Sequence, residues 1–387
     1  MKRKTAALSP AVRAALAILS GAGLAVTAAG LALSPTRAWA AYLTAAFYFL
    51  AIALGGLVVT ALFNVAKAGW SVVVKRVPEA LTGYLPFGAL SMLVILAGAN
   101  RLYSWLGPEA HDDPILQAKA SYLNLPAFGI RMLVVLALWL VFARVLRRGS
   151  VAQDTDGRVE HTTRNVALSA GFLLVFALSF SVAAFDWLMS LAPHWQSTIF
   201  AWYHMAGVVV SGLAATLLVT AYLRRAGALP EANENHLHDL GKLLFAMCTF
   251  WAYLWVSQYL LVWYANLPEE TAYYIARSQG GYRFLFWANL AINWLVPFLA
   301  LLPRAAKRSQ AHLVRVSALV LVGRFVDIYL QVAPPVLPDH PGIGLLELGA
   351  LVMFGAAFVL VCERALLKTP LLAKGDPYLG ESLHHAQ

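Results

Sequence analysis

Residues 41–66 read AYLTAAFYFLAIALGGLVVTALFNVA, 26 positions without one charged side chain. A helix of that length covers about 39 Å at about 1.5 Å per residue, more than the roughly 30 Å hydrocarbon core of a bilayer. The stretch is therefore predicted to be a membrane-spanning helix. Comparable apolar runs recur on both sides of it, at 11–33, 82–105, 124–147, 165–190, 198–223, 240–265, 281–302, 312–333 and 343–366. No connector between them is long enough for a soluble domain. The expected fold is all-α, a polytopic membrane protein of about ten transmembrane helices forming a single integral membrane domain over 1–387.

Bulk composition agrees. The chain is 60% hydrophobic and 12% charged, with a mean hydropathy of +0.67, whereas a soluble domain carries about 25% charged residues. Its 12 Trp, 15 Tyr and 19 Phe suit helix ends held at headgroup level, where amphipathic rings are favoured. A net charge of +10 raises the question of nucleic acid. The basic residues lie in short connectors instead of forming a patch on a folded surface, which argues against that partner.

Their placement reports topology. Lys2, Arg3, Lys4 and Arg13 precede or open the first span; Lys67, Lys75 and Arg76 follow the second; Arg144, Arg147, Arg148, Arg158 and Arg164 follow the fourth. Arg224, Arg225 and Lys242 lie after the sixth, Arg304, Lys307, Arg308 and Arg315 after the eighth, and Arg364, Lys368 and Lys374 after the tenth. The opposite connectors hold Glu109, Asp112, Asp113, Glu269, Glu270 and Asp339. Because Lys and Arg are retained on the cytoplasmic side, both termini are expected there. The first run also resembles a signal peptide ending at Ala38-Trp39-Ala40, but it is longer than a signal's apolar core and holds Gly21, Gly23 and Gly30. A retained helix is the expectation. Gly83 precedes Trp105 by the interval that separates Gly241 from Trp263, a weak sign of internal halves at 41–190 and 198–333.

Charge inside a membrane costs about 2.5–3.5 kcal/mol per group on insertion scales, so each ionisable residue in a span is a candidate for function. Arg324 and Asp327 lie three apart in the ninth run, on one helix face. A proton or quinol contact and a link that only pins neighbouring helices both account for them. Asp186 closes the fifth run; His194 follows it; His204 lies about two turns into the sixth and Glu347 about one turn into the tenth. Arg101, Arg131 and Arg283 fall near the same face, where they could snorkel to the interface. Trp187, Trp195, Trp202, Trp263 and Tyr264 could flank an aromatic headgroup, or anchor the chain in lipid. Only His204 is clearly inside a span, so a pair of facing axial haem ligands is not expected. Cys248 and Cys362 sit in apolar runs without a metal-binding spacing, and no metal site is expected. Pro86 and Pro297 are the expected helix breaks.

Two longer stretches carry a resemblance. FDWLMSLAPHWQSTIF at residues 185–200 resembles a segment of the ActF subunit of alternative complex III, the bacterial quinol:electron acceptor oxidoreductase. HDLGKLLF at 238–245, continuing to WYANLPEET at 263–271, resembles that subunit's seventh helix and the loop after it. Ala192 departs from the pattern, where an acidic residue is expected. The resemblance implies an NrfD-like membrane subunit of two four-helix bundles, helices 2–5 and 6–9, flanked by helices 1 and 10, in the bacterial inner membrane. It implies no redox cofactor of the chain's own, with haem c and iron–sulfur clusters confined to partner subunits: a multihaem cytochrome c, an iron–sulfur protein and a sister NrfD-like subunit. It also implies a scaffold role together with a quinone (menaquinone) site or a proton path. Asp186, His194, His204, Arg324, Asp327, Glu347 and Arg101 are the candidate residues for that role. A membrane anchor of the polysulfide- or nitrite-reductase type and a secondary transporter are the alternatives.

Overall fold

The computed structural model describes residues 7–386, and Lys2, Arg3 and Lys4 of the basic N-terminus lie outside them. Every predicted run is helical: α1 (Pro10–Leu33), α2 (Pro35–Val65), α3 (Arg76–Leu102), α4 (Leu125–Asp156) and α5 (Val159–Trp187). They are followed by α6 (Ile199–Arg225), α7 (Glu234–Ala265), α8 (Gly280–Leu301), α9 (Gln310–Val336) and α10 (Leu345–Leu367). Among the described residues nine helices are long and apolar enough to cross a membrane. The other is α9, which at 27 residues has the length and carries Arg324 and Asp327 in its second half.

Helix limits follow local chemistry more than the edge of the apolar run. The Asn124 side chain accepts from Ala127 N at the start of α4, where Pro126 has no N–H that would need an acceptor. The helix then runs to Asp156, beyond its apolar part, until Gly157 turns it off at φ 65°. Asn233 caps α7 in the same way, and Asn266 ends it in the left-handed region. The two expected breaks appear as irregular helix. In α3 a 3-10 turn at Thr82–Tyr84 comes just before Pro86, and in α8 a π turn at Ala291–Leu295 comes just before Pro297. Proline lacks the N–H of the regular ladder, so the turn before it loses an internal bond.

α2 is the hub, buried nearly all round by α3, α5, α6, α9 and α10. Its closest neighbour is α6, because Gly55 faces Gly212. A Cβ built on Gly55 would lie 2.3 Å from the Val208 carbonyl oxygen and 2.8 Å from the Gly212 backbone. Small residues that let backbones touch are a common means of helix association in lipid. α1 lies at the periphery on α10, and the outward faces carry side chains such as Leu174 and Leu178 that suit lipid.

The connectors gather into two ends. At one, Arg13 pairs with Glu363, Lys75 with Asp376, and Arg76 with Glu79 and Asp154. Arg147 donates to the Ala365 carbonyl, and Arg308 to Asn235. This is the basic end of the sequence reading. At the other, Arg37 meets Glu347, Asp113 meets His194, and Trp195 stacks on Tyr273 with ring centres 3.7 Å apart.

Candidate functional site

Three buried charge clusters form inside the helical bundle or toward its acidic end. The deepest is on α9. Arg324 Nη1 lies 2.9 Å from Asp327 Oδ2, and both side chains are almost fully buried, at 2% and 0%. Asp327 Oδ1 accepts from the Tyr203 hydroxyl of α6 and, at 2.9 Å, from Asn289 Nδ2 of α8. Asn293, one turn on in the π segment, donates to the Asn289 carbonyl and side-chain oxygens. The guanidinium needs space that only a glycine leaves: a Cβ on Gly207 would lie 2.0 Å from Arg324 Nη2. His204 stands beside Tyr203, its ring 4.4 Å from Phe200 and 4.8 Å from Tyr203. Among the described residues its Nε2 and Arg324 Nε are buried without a hydrogen-bond partner.

Tyr203 and Asn289 also line a small cavity with Gln258, Tyr273, Arg277 and Gln331. Its volume of about 20 Å³ holds roughly one water. The cavity lies on the acidic side of the Asp327 cluster, where Arg277 donates to the carbonyls of Tyr273 and Leu330. A carboxylate, a phenol, two amides and a water-sized space can pass or hold a proton. They cannot hold a quinone ring.

The second cluster joins α4 to α5. Arg131 Nε donates to Asp186 Oδ2 at 2.7 Å, and the guanidinium lies 3.8 Å over the Tyr122 ring. Two grooves border it and share Phe185, Met189 and Gln196. One, of about 230 Å³, runs past Tyr122 and Trp195; the other, of about 590 Å³, past Ser197, Thr198, Gln258 and Glu270. The larger has the volume of an organic-ligand site, mostly apolar with a few polar groups. Gln196, Ser197, Thr198 and Gln258 supply its amide and hydroxyl groups.

The third cluster closes the start of α2 against α10. Arg37 holds Glu347 at 2.9 and 3.1 Å, and Glu347 accepts from Gly344 N, which caps its own helix. The Gly342 carbonyl accepts from both Arg37 and the Tyr329 hydroxyl.

His194 lies apart from all three, half exposed, with Asp113 2.5 Å away. Asp113 also accepts from the amides of Ile115 and Leu116. The His194 bond and these amides hold its carboxyl below the ordinary value. A carboxyl with a depressed folded pKa stabilises above its unfolded pKa of about 3.9 and loses that contribution as pH falls through the folded value. Protection of the Ile115 and Leu116 amides, corrected for intrinsic exchange rates, is expected to hold from pH 7 to about 5 and fall below about 4. Loss of protection already at pH 6 would contradict this reading.

The structure thus brings Arg324, Asp327 and His204 into one neighbourhood and leaves Asp186, Glu347 and His194 in three others. Arg101 is exposed and joins none of them; it is Arg131 that meets Asp186. The aromatic rim divides too. Trp187 and Trp195 are buried in the fold, whereas Trp202, Trp263 and Tyr264 are 57%, 64% and 86% exposed and suit lipid anchoring. Tyr203, Gly207, Asn289, Arg277 and Arg37 were not singled out in the sequence. The paired amides Asn289 and Asn293 in an apolar run were the one signal that pointed to any of them.

No curated protein matches the chain. Residues 30–336 match the family model described as polysulphide reductase, NrfD. The matched segment runs from within α1 to the end of α9 and takes in the Asp327 and Asp186 clusters, and on that match over most of its length the chain belongs to the NrfD family.

Proposed function

We propose that the chain is the membrane subunit of a respiratory quinol:electron acceptor oxidoreductase of the alternative complex III type, in the role of its ActF subunit, acting as scaffold and proton path. Family membership supports the coarser part, since NrfD proteins are membrane subunits of quinol-oxidising complexes that work with iron–sulfur partners. The resemblance of residues 185–200 and 238–271 supports the finer part. The observation that carries the proton role is the Arg324–Asp327 pair in a span, bonded to Tyr203 and Asn289 beside a cavity of one-water size. Desolvating such a pair costs several kcal/mol per ion, and well-packed apolar residues would join the helices at least as well. Retaining it makes sense where a proton must be held or passed.

A quinol bound by this subunit would place its headgroup in the groove of Phe185, Met189 and Gln196, with Ser197, Thr198 and Gln258 as hydrogen-bond partners. When bound it supplies two electrons and two protons. The chain's part is to orient the headgroup, exclude water and receive protons at the acidic end, with the electrons leaving through cytochrome and iron–sulfur partners. The same reading puts the basic end and both termini in the cytoplasm of a bacterial cell, and makes 41–190 and 198–333 related halves. Releasing protons at the opposite face conserves energy, about 2.3 kcal/mol per charge per 100 mV.

Gentle purification of a tagged chain tests the assignment. Haem c absorbance and iron–sulfur resonances should co-purify with it; recovery of the chain alone, or solute uptake by vesicles holding only this chain, would count against it. The family's description favours one other reading, a membrane anchor of the polysulfide- or nitrite-reductase type. A molybdopterin-containing partner in place of the multihaem cytochrome would establish that one.

A further inference from the structure

A second large groove lies far from the charge clusters, on the flank of the basic end. It has a volume of about 900 Å³ and runs between the irregular start of α3, at Thr82–Pro86, and the second half of α4. Its lining combines the apolar Leu85, Leu140 and Ala143 with the cations Arg144, Arg147, Arg148 and Lys368. Arg147 donates to the Ala365 carbonyl at 2.7 Å. Among the described residues none of the four cations forms an ion pair with a carboxylate. Asp154 on the same helix and Glu79 on α3 are both taken up by Arg76, and Glu363 and Asp376, which flank Lys368 in the chain, are taken up by Arg13 and Lys75.

Depth matters as much as charge. Counted from the Asn124 cap, about 20 residues of α4 at 1.5 Å each cross the hydrocarbon core. The core then ends near Arg144, so Leu140 and Ala143 lie within acyl-chain depth and the cations at headgroup depth. The 3-10 turn at Thr82–Tyr84 borders the groove on the α3 side. Helix surfaces in lipid normally keep single Arg or Lys residues that snorkel. Four around one concave, apolar-backed groove have a different use.

We propose that this groove binds an anionic phospholipid, with its phosphate held by Arg144, Arg147, Arg148 and Lys368 and an acyl chain along Leu140 and Ala143. Basic pockets between transmembrane helices are suited to such headgroups. The site is independent of quinol chemistry: its failure would leave the proposed function standing, and the converse.

The full-length protein, with whatever subunits accompany it, is stripped of lipid by detergent exchange and equilibrated with phosphatidylcholine vesicles with or without phosphatidylglycerol. Native mass spectrometry then counts retained phosphatidylglycerol. The wild type should retain at least one molecule per chain. R144Q/R148Q should bind it about thirtyfold more weakly, as expected for two cations removed near a membrane surface. Ala152→Trp, which fills the groove without changing charge, should weaken it as well. Arg144, Arg148 and Ala152 are all exposed, so none of these changes disturbs the core. R304Q/R315Q, an equal charge loss at the same end but outside the groove, should leave retention unchanged. Equal retention of phosphatidylcholine, equal competition by inorganic phosphate, an unaffected Ala152→Trp protein or an equally weakened R304Q/R315Q protein would each overturn the proposal.

Discussion

Asp327→Asn is expected to destabilise the protein by about 3–5 kcal/mol, and adding Arg324→Gln in the same chain to restore most of the loss. The single change removes the one carboxylate paired, among the described residues, with a guanidinium that is 2% exposed. It also turns an amide donor toward Arg324 Nη1 if the new side chain keeps its oxygen on Tyr203 and Asn289, which donate to Asp327 Oδ1. Either rotamer leaves one contact mismatched in a low-dielectric interior. The double change removes both charges while the amide and hydroxyl network can still close. Thermal unfolding in detergent measures both effects. Equal stability of the single variant and the wild type would mean that the pair is hydrated and contributes no buried-charge penalty.

Gly212→Leu is expected to abolish folding into the bundle, with Gly212→Ala costing about 1–3 kcal/mol as ordinary overpacking does. A Cβ at this position would lie 2.4 Å from the Gly55 carbonyl carbon and 2.5 Å from its oxygen. The obstacle is backbone, so no side chain can rotate away. α6 would have to leave α2, and α2 is the helix that most of the others cover. Gly171→Leu is the control, because a Cβ there meets nothing within 4 Å. Size-exclusion profiles should show a monodisperse Gly171→Leu protein and an aggregated Gly212→Leu protein. Two matching monodisperse profiles would refute the close contact of α2 and α6.

The fold was legible because lipid imposes one rule on the backbone: internal hydrogen bonds along a run of about 20 apolar residues. Residues 41–66 declare a span by length and lack of charge alone. Grouping of the connectors into a basic and an acidic end was legible from Lys and Arg. The Arg324–Asp327 pair was legible because both members sit on one helix at a spacing of three. Partners brought from elsewhere were not. Tyr203 and Asn289 reach Asp327 from α6 and α8, Arg131 reaches Asp186 across 55 residues, and Arg37 reaches Glu347 across 310. Nothing local marks these, since a tyrosine in an apolar run or an arginine at a helix start has ordinary uses. The extension of α4 to Asp156 was hidden for another reason: hydropathy reports where lipid ends, and the helix continues until Gly157 stops it.

Removing the central charge pair without unfolding the protein isolates its chemistry from its packing. The Arg324→Gln/Asp327→Asn chain, assembled with its partner subunits, should therefore be assayed for quinol oxidation with an artificial electron acceptor. Full assembly with turnover reduced at least about a hundredfold, the low end of the range for loss of a proton-transfer group, is the predicted result. Full assembly with wild-type turnover would contradict a proton role for Asp327 and leave the pair as a link between helices.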